Sequence, residues 1–133
     1  MILLDTHALL WLAQGRPELG KEARRLSDEA LEEDRLAVSA ISFWEVAMLQ
    51  EKRRIELFQQ ASAWRESILR LGLVEIAVTG EIGIAAVALP DFHGDPADRI
   101  IVATASIHGA ALITADKPIL EWTGSLHRHD ARR

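Results

Sequence analysis

Along this chain apolar residues come either in short unbroken runs or at spacings of three and four, and the two kinds take turns. The opening MILL is unbroken, which suits a strand buried on both faces of a parallel sheet; a one-sided strand would alternate. It ends at Asp5. THALLWLAQG then reads as a short helix closed by Gly15, and Pro17 sits where the next helix can begin. From Glu18 to Glu33, Leu19, Ala23, Leu26 and Ala30 recur at spacings of four, three and four, one buried stripe on a charged helix. LAVS at 36–39 predicts a second strand, and Phe43, Val46, Ala47 and Leu49 predict a helix from about Ala40 to Arg53.

The strand-to-helix unit then repeats. Residues 60–71 read as a helix through Trp64, Ile68 and Leu71, LVEIAV at 73–78 as a strand, and EIGIAAVAL at 81–89 as a helix behind Thr79 and Gly80. A loop from about Leu89 to Ala97, the longest stretch without periodicity, leads to a helix from about Asp98 to His108 closed by Gly109. AALIT at 110–114 predicts a strand, Asp116, Pro118 and Ile119 a short helical turn, and the tail an edge strand near Gly124 to Arg128. Strands alternating with helices predict an α/β fold, because right-handed crossovers lay helices over both faces of a parallel sheet. No repeat or linker interrupts the pattern, so residues 1–133 are expected to form one domain.

Composition narrows the chemistry. No apolar stretch approaches the roughly 18 residues of a membrane span, and MILLD is too short for a signal-peptide core, so a soluble, cytoplasmic protein is expected. Without cysteine there is no thiolate ligand, and any metal must be held by carboxylate or imidazole. The net charge of −5 argues against a generally basic nucleic-acid surface. Local basic groups remain at Arg24-Arg25, Lys52-Arg53-Arg54, and Arg128, Arg132 and Arg133 of the tail, and their role is open.

Four acids share a location. Asp5 ends the first strand, Glu45 lies one turn into the helix after LAVS, Asp98 opens a helix in HGDPADRI, and Asp116 follows AALIT. In an open parallel sheet these places fall at the carboxyl edge, where ligands bind. Carboxylates gathered there repel unless a cation compensates them, and hard oxygen ligands favour Mg²⁺ or Mn²⁺. That combination belongs to phosphoryl-transfer chemistry. With Asp95, the acids account for the whole formal charge of −5.

Each acid also has a structural reading. Asp5 can cap the following helix, Glu45 can complete a capping box Ser42-x-x-Glu45, Asp116 can be a turn residue, and Asp95-Pro96-x-Asp98 is a good helix start. Thr6 and Thr114 are placed to orient neighbouring carboxylates, and Arg99 to hold a phosphate or simply face solvent. His7 and His93 are weaker candidates for phosphate or metal contact. Trp11, Trp44, Trp64 and Trp122 sit in helical contexts that predict core or interface packing rather than base stacking.

These residues carry a resemblance. LLDTHALLW at 3–11, SAISFWEVAML at 39–49, HGDPADRIIVATA at 93–105 and LITADKPI at 112–119 resemble, in this order, the four motifs of the PIN-domain ribonucleases, specifically VapC-like toxins of type II toxin-antitoxin modules. The resemblance implies an α/β/α sandwich with a central parallel sheet of four or five strands. It implies Mg²⁺- or Mn²⁺-dependent endonucleolytic cleavage of RNA leaving 5′-phosphate and 3′-hydroxyl ends. It assigns the metal-binding acids to Asp5, Glu45, Asp98 and Asp116, with Asp95 a further acid nearby. A homodimer, and a VapB-like antitoxin whose C-terminal segment covers the active-site groove, are implied as well. Two alternatives are a receiver-like Mg²⁺-binding signalling domain and a catalytically inert binding module on the same fold. A receiver carries its phosphorylated aspartate at the end of the middle strand, and no aspartate lies between Asp34 and Asp91.

Overall fold

In a computed structural model that describes residues 1–133, the unbroken apolar runs become the strands of one sheet. The elements in chain order are β1 (Ile2–Leu4), α1 (Thr6–Ala13), α2 (Lys21–Glu32), β2 (Leu36–Ser39), α3 (Ala40–Glu51) and α4 (Ala61–Arg70). They continue with β3 (Val74–Ile76), α5 (Gly80–Val87), α6 (Pro96–His108), β4 (Ala111–Thr114), α7 (Lys117–Glu121) and β5 (Arg128–Asp130). The sheet order is β3-β2-β1-β4-β5, and every neighbouring pair is parallel.

Both faces are covered, which is why the inner strands lack alternation. Successive residues of β1 serve opposite cores: Leu4 packs with Ala8, Leu9, Ala30, Val46 and Trp64 of α1 to α4. Leu3 packs with Ile82, Ala86, Ile101, Val102 and Ile119 of α5 to α7. Both leucines are fully buried, and truncating either to alanine would cost about 2–5 kcal/mol. The result is an α/β/α sandwich. No helix is long and apolar enough to cross a membrane.

Several boundaries differ from the pattern-based expectation, each for a local reason. Helix α1 stops at Ala13, short of Gly15, whose φ of 61° makes the turn. Helix α2 begins at Lys21 rather than near Glu18, with Gly20 as its cap. Helix α3 ends at Glu51 because Arg53 adopts φ 57°. This makes the connection 52–60 longer than the connection 88–95, the reverse of the order expected. Strand β3 is an edge strand reduced to Val74–Ile76. The tail strand lies later than Gly124–Arg128, at Arg128–Asp130, because Gly124 is pressed against the Trp122 ring before the chain reaches β4.

The order of the strands decides where a ligand can sit. From β1 the chain moves one way to β2 and β3, then returns to the other side for β4 and β5. Between β1 and β4 the winding therefore reverses, and crossovers on opposite faces open a crevice beyond the carboxyl ends of those two strands.

Candidate active site

Asp5 leaves β1 at this crevice. In the extended conformation (φ −75°, ψ 176°) it caps α1, and its Oδ1 accepts a hydrogen bond from the backbone N–H of Ala8 at 2.9 Å. Its Oδ2 accepts one from Thr114 Oγ1, at the end of β4, at 2.5 Å. Thr114 Oγ1 also accepts from the N–H of Asp116 at 3.0 Å, so one hydroxyl fixes a buried carboxylate and the start of the next acid's loop together. Asp116 caps α7, its Oδ2 accepting from the N–H of Ile119 at 3.2 Å.

Glu45 reaches the crevice from α3. Thr6 Oγ1 donates to Glu45 Oε1 at 2.5 Å, and Ser42 Oγ stands 2.9 Å from the same hydroxyl. A capping-box role for Glu45 is excluded, since α3 is capped by Ser39 and Ser42 is buried inside the helix. From the opposite side, Asp95 caps α6 and its Oδ1 accepts from the N–H of Asp98 at 2.8 Å. Helix α6 thus opens at Pro96, earlier than Asp98, and the Asp98 carboxylate projects from the first turn. It is held by neither a hydrogen bond nor an ion pair.

All five acids line one cavity of about 290 Å³. Thr6, His7, Trp11, Ala115 and Arg132 complete its wall. A larger cavity of about 870 Å³ lies next to it, between α1, α4 and the 54–59 segment, and shares His7 and Trp11 with it. The larger space is mostly apolar and contains none of the five acids.

Crowding shows in the proton affinities. Burial, reinforced by Asp116, Asp95, Glu45 and Asp5, pushes the Asp98 carboxyl up to about 8. Burial also raises Asp5, outweighing the bonds from Thr114 and Ala8. Glu45 is raised by burial against the Thr6 bond, with Asp95 adding to the rise. As the side chains stand, no three of these groups close on a single point as a finished metal cage would. The donor set is nevertheless hard oxygen with an excess of negative charge. It suits a cation that takes few carboxylates directly and keeps several waters, the habit of Mg²⁺.

Two residues singled out from sequence lie elsewhere. Arg99 does not line the cavity: its two terminal nitrogens donate to the carbonyls of Ala86 (3.1 Å) and Phe92 (2.6 Å), and its guanidinium lies over the Phe92 ring. The side chain is a clamp on the loop before α6. His93 is exposed and also outside the cavity, whereas His7 lines it. Trp64 and Trp122 pack in the core, Trp44 is 56% exposed and Trp11 belongs to the cavity wall. Arg132, from the basic tail, is a wall residue that no local sequence pattern places there.

The sequence model of the PIN domain family matches residues 2–121. The chain is 37% identical over 129 residues to ribonuclease VapC22 of Mycobacterium tuberculosis, an alignment that covers 96% of this chain and 92% of the relative. Among solved structures, a toxin-antitoxin complex from Klebsiella pneumoniae is similar with 28% identity and a TM-score of 0.64, over 92% of this chain and 93% of that one. VapBC2 from Rickettsia felis, bound to a DNA fragment from its promoter, has the same fold at 14% identity. Its TM-score is 0.69, over 97% of this chain and 98% of the other.

Proposed function

This chain belongs to the PIN-domain family, and on that premise we propose that it is a divalent-metal-dependent endoribonuclease, the toxin of a VapBC-type module. The observation that carries the reading is the gathering of Asp5, Glu45, Asp95, Asp98 and Asp116 in one cavity at the point where the sheet reverses its winding. A relative named as a ribonuclease and a similar toxin-antitoxin complex support it. The family assignment sets aside the receiver-like alternative, and the edge strand β3 carries no carboxylate at its end.

Asp5, Glu45, Asp98 and Asp116 are the proposed ligands of Mg²⁺ or Mn²⁺. When bound, such an ion supplies Lewis-acid chemistry, neutralising phosphate charge and making water a better nucleophile. The protein's own share is positioning. Thr114 and the Ala8 N–H fix both oxygens of Asp5, Thr6 turns Glu45 inward, and the unbonded Asp98 is free to adjust. Asp95 keeps the N-terminus of α6 aimed at the cavity, where its dipole favours an anion. In the hydrolysis, a water oxygen bonds to phosphorus, the bond from phosphorus to the 3′ oxygen breaks, and that oxygen takes a proton. The ends are a 5′-phosphate and a 3′-hydroxyl.

The proposal extends to a cytoplasmic, homodimeric protein with one domain over 1–133, inhibited by a VapB-like antitoxin. Antitoxin-free protein incubated with tRNA, rRNA and mRNA should cut at least one of them with Mg²⁺ or Mn²⁺, and should lose activity with EDTA or as Asp5→Asn or Asp98→Asn. Cutting that persists equally in all three controls would sink the assignment. Failure to cut any RNA, with the fold intact, would favour the inert binding module.

A further inference from the structure

The cavity that holds five carboxylates must also admit a phosphodiester, which is itself an anion. One lysine or arginine stands in its wall, Arg132, carried there by the segment after β5. We propose that Arg132 is a substrate-binding residue, its guanidinium receiving a non-bridging oxygen of the RNA phosphate adjacent to the bond that is cut. The inference rests on the ribonuclease reading above and adds to it the group that recognises substrate.

Three features of the placement support this. Arg132 Nη1 donates to the carbonyl of Ala115 at 2.9 Å, which ties the side chain to the residue between Thr114 and Asp116. The exposed guanidinium has its carbon 5.4 Å from the centre of the Trp11 ring, a cation-π contact at the cavity wall. Finally, Arg132 forms no ion pair with any carboxylate, although five line the same space.

The missing ion pair separates two roles. A guanidinium that serves as a counter-charge would sit on an acid, as the surface residues Arg16, Arg25, Arg35 and Arg65 do with theirs. Arg99 and Arg128 spend theirs on backbone carbonyls outside the cavity. Arg132 is held by one carbonyl and one aromatic face, which leaves Nη2 and Nε without a protein acceptor. A phosphate oxygen pair is the ligand that such a fork fits.

The test is cleavage kinetics of a short single-stranded RNA by the full chain with saturating Mn²⁺, for wild type, Arg132→Ala and Arg132→Lys. KM should rise on the order of 10-fold or more in Arg132→Ala with a smaller change in kcat, and Arg132→Lys should recover part of the loss. Raising KCl should weaken the wild type more steeply than Arg132→Ala, the logarithmic slope differing by about 0.7, as expected for one lost contact to single-stranded phosphate. Mn²⁺ affinity, read from the electron-paramagnetic signal of the free ion, should stay the same or tighten, because a positive charge leaves the cavity. Unchanged KM and salt slope in a folded Arg132→Ala would overturn the proposal and leave the nuclease reading standing. Weakened Mn²⁺ binding with unchanged KM would do the same, by making Arg132 a structural part of the metal site. A wild type that cuts no RNA overturns the nuclease reading, and this proposal with it.

Discussion

Asp98→Asn should make the metal-free protein more stable while abolishing cleavage. Asparagine keeps the shape of the side chain and removes its charge, and no hydrogen bond or ion pair to the carboxylate is lost. An aspartyl group of ordinary value 3.8 is pushed to about 8 in the fold, first by burial and then by Asp116, Asp95, Glu45 and Asp5. At about 1.4 kcal/mol per unit, this sets a ceiling of roughly 5 kcal/mol on the penalty at pH 7.5. Asp98 is only partly buried, and solvent screening reduces the expected gain to about 1–2 kcal/mol, or a rise in Tm of roughly 3–10 °C.

The sign with pH follows from proton binding. Because the folded-state value lies above the unfolded one, the native protein holds the proton that the unfolded chain releases. This contribution is fully present below about 4 and is lost as pH rises toward about 8. Asp5 and Glu45 are shifted in the same direction, so Asp98→Asn should flatten the slope without removing it. Calorimetry in EDTA between pH 5.5 and 8.5 measures this, with the variant's advantage growing toward alkaline pH. Added Mg²⁺ should raise the wild-type Tm more than that of Asp98→Asn and narrow the gap. A variant that melts at or below wild type at pH 7.5 in EDTA, or whose advantage grows toward acid, would refute the claim that Asp98 is held against its preference.

Thr114→Val removes the donor to Asp5 and the acceptor for the Asp116 N–H. It should cost about 1–2 kcal/mol and lower cleavage at least 10-fold, with Thr114→Ser restoring both in melting and RNA-cutting assays. Arg99→Ala frees the carbonyls of Ala86 and Phe92 and should lower stability by about 2 kcal/mol with KM unchanged. A raised KM would restore Arg99 as a substrate contact. Gly94→Ala places a methyl 2.5 Å from the Phe92 ring and should cost about 1–3 kcal/mol in chemical denaturation. It should also reduce kcat, because Gly94 belongs to the loop that delivers Asp95 and Asp98.

Arg99 and Arg132 mark the limit of what the sequence discloses. Arg99 follows Asp98 directly, and consecutive residues of a helix point about 100° apart, so a side chain next to a cavity acid turns away from it. Arg132 was not legible, because its place depends on β5 pairing in parallel with β4, a contact between distant segments that no local pattern encodes. The central position of β1 is hidden for the same reason, whereas the unbroken runs that mark it as doubly buried are local.

The acids were legible because two demands coincide at the carboxyl edge of a parallel sheet. A helix that begins there needs an acceptor at its first turn, and Asp5 after β1, Asp116 after β4 and Asp95 in the loop after α5 each accept from the N–H three residues on. Those same caps bring the positive ends of α1, α6 and α7 toward one space, which lowers the cost of packing carboxylates together. Capping and ligation are therefore not rival readings of these residues. Asp5 caps α1 with one oxygen and faces Thr114 with the other, and its cap hydrogen bond is part of what aims it. Glu45 and Asp98 cap no helix, and both line the cavity: Glu45 accepts from Thr6 Oγ1, and Asp98 stands in the first turn of α6.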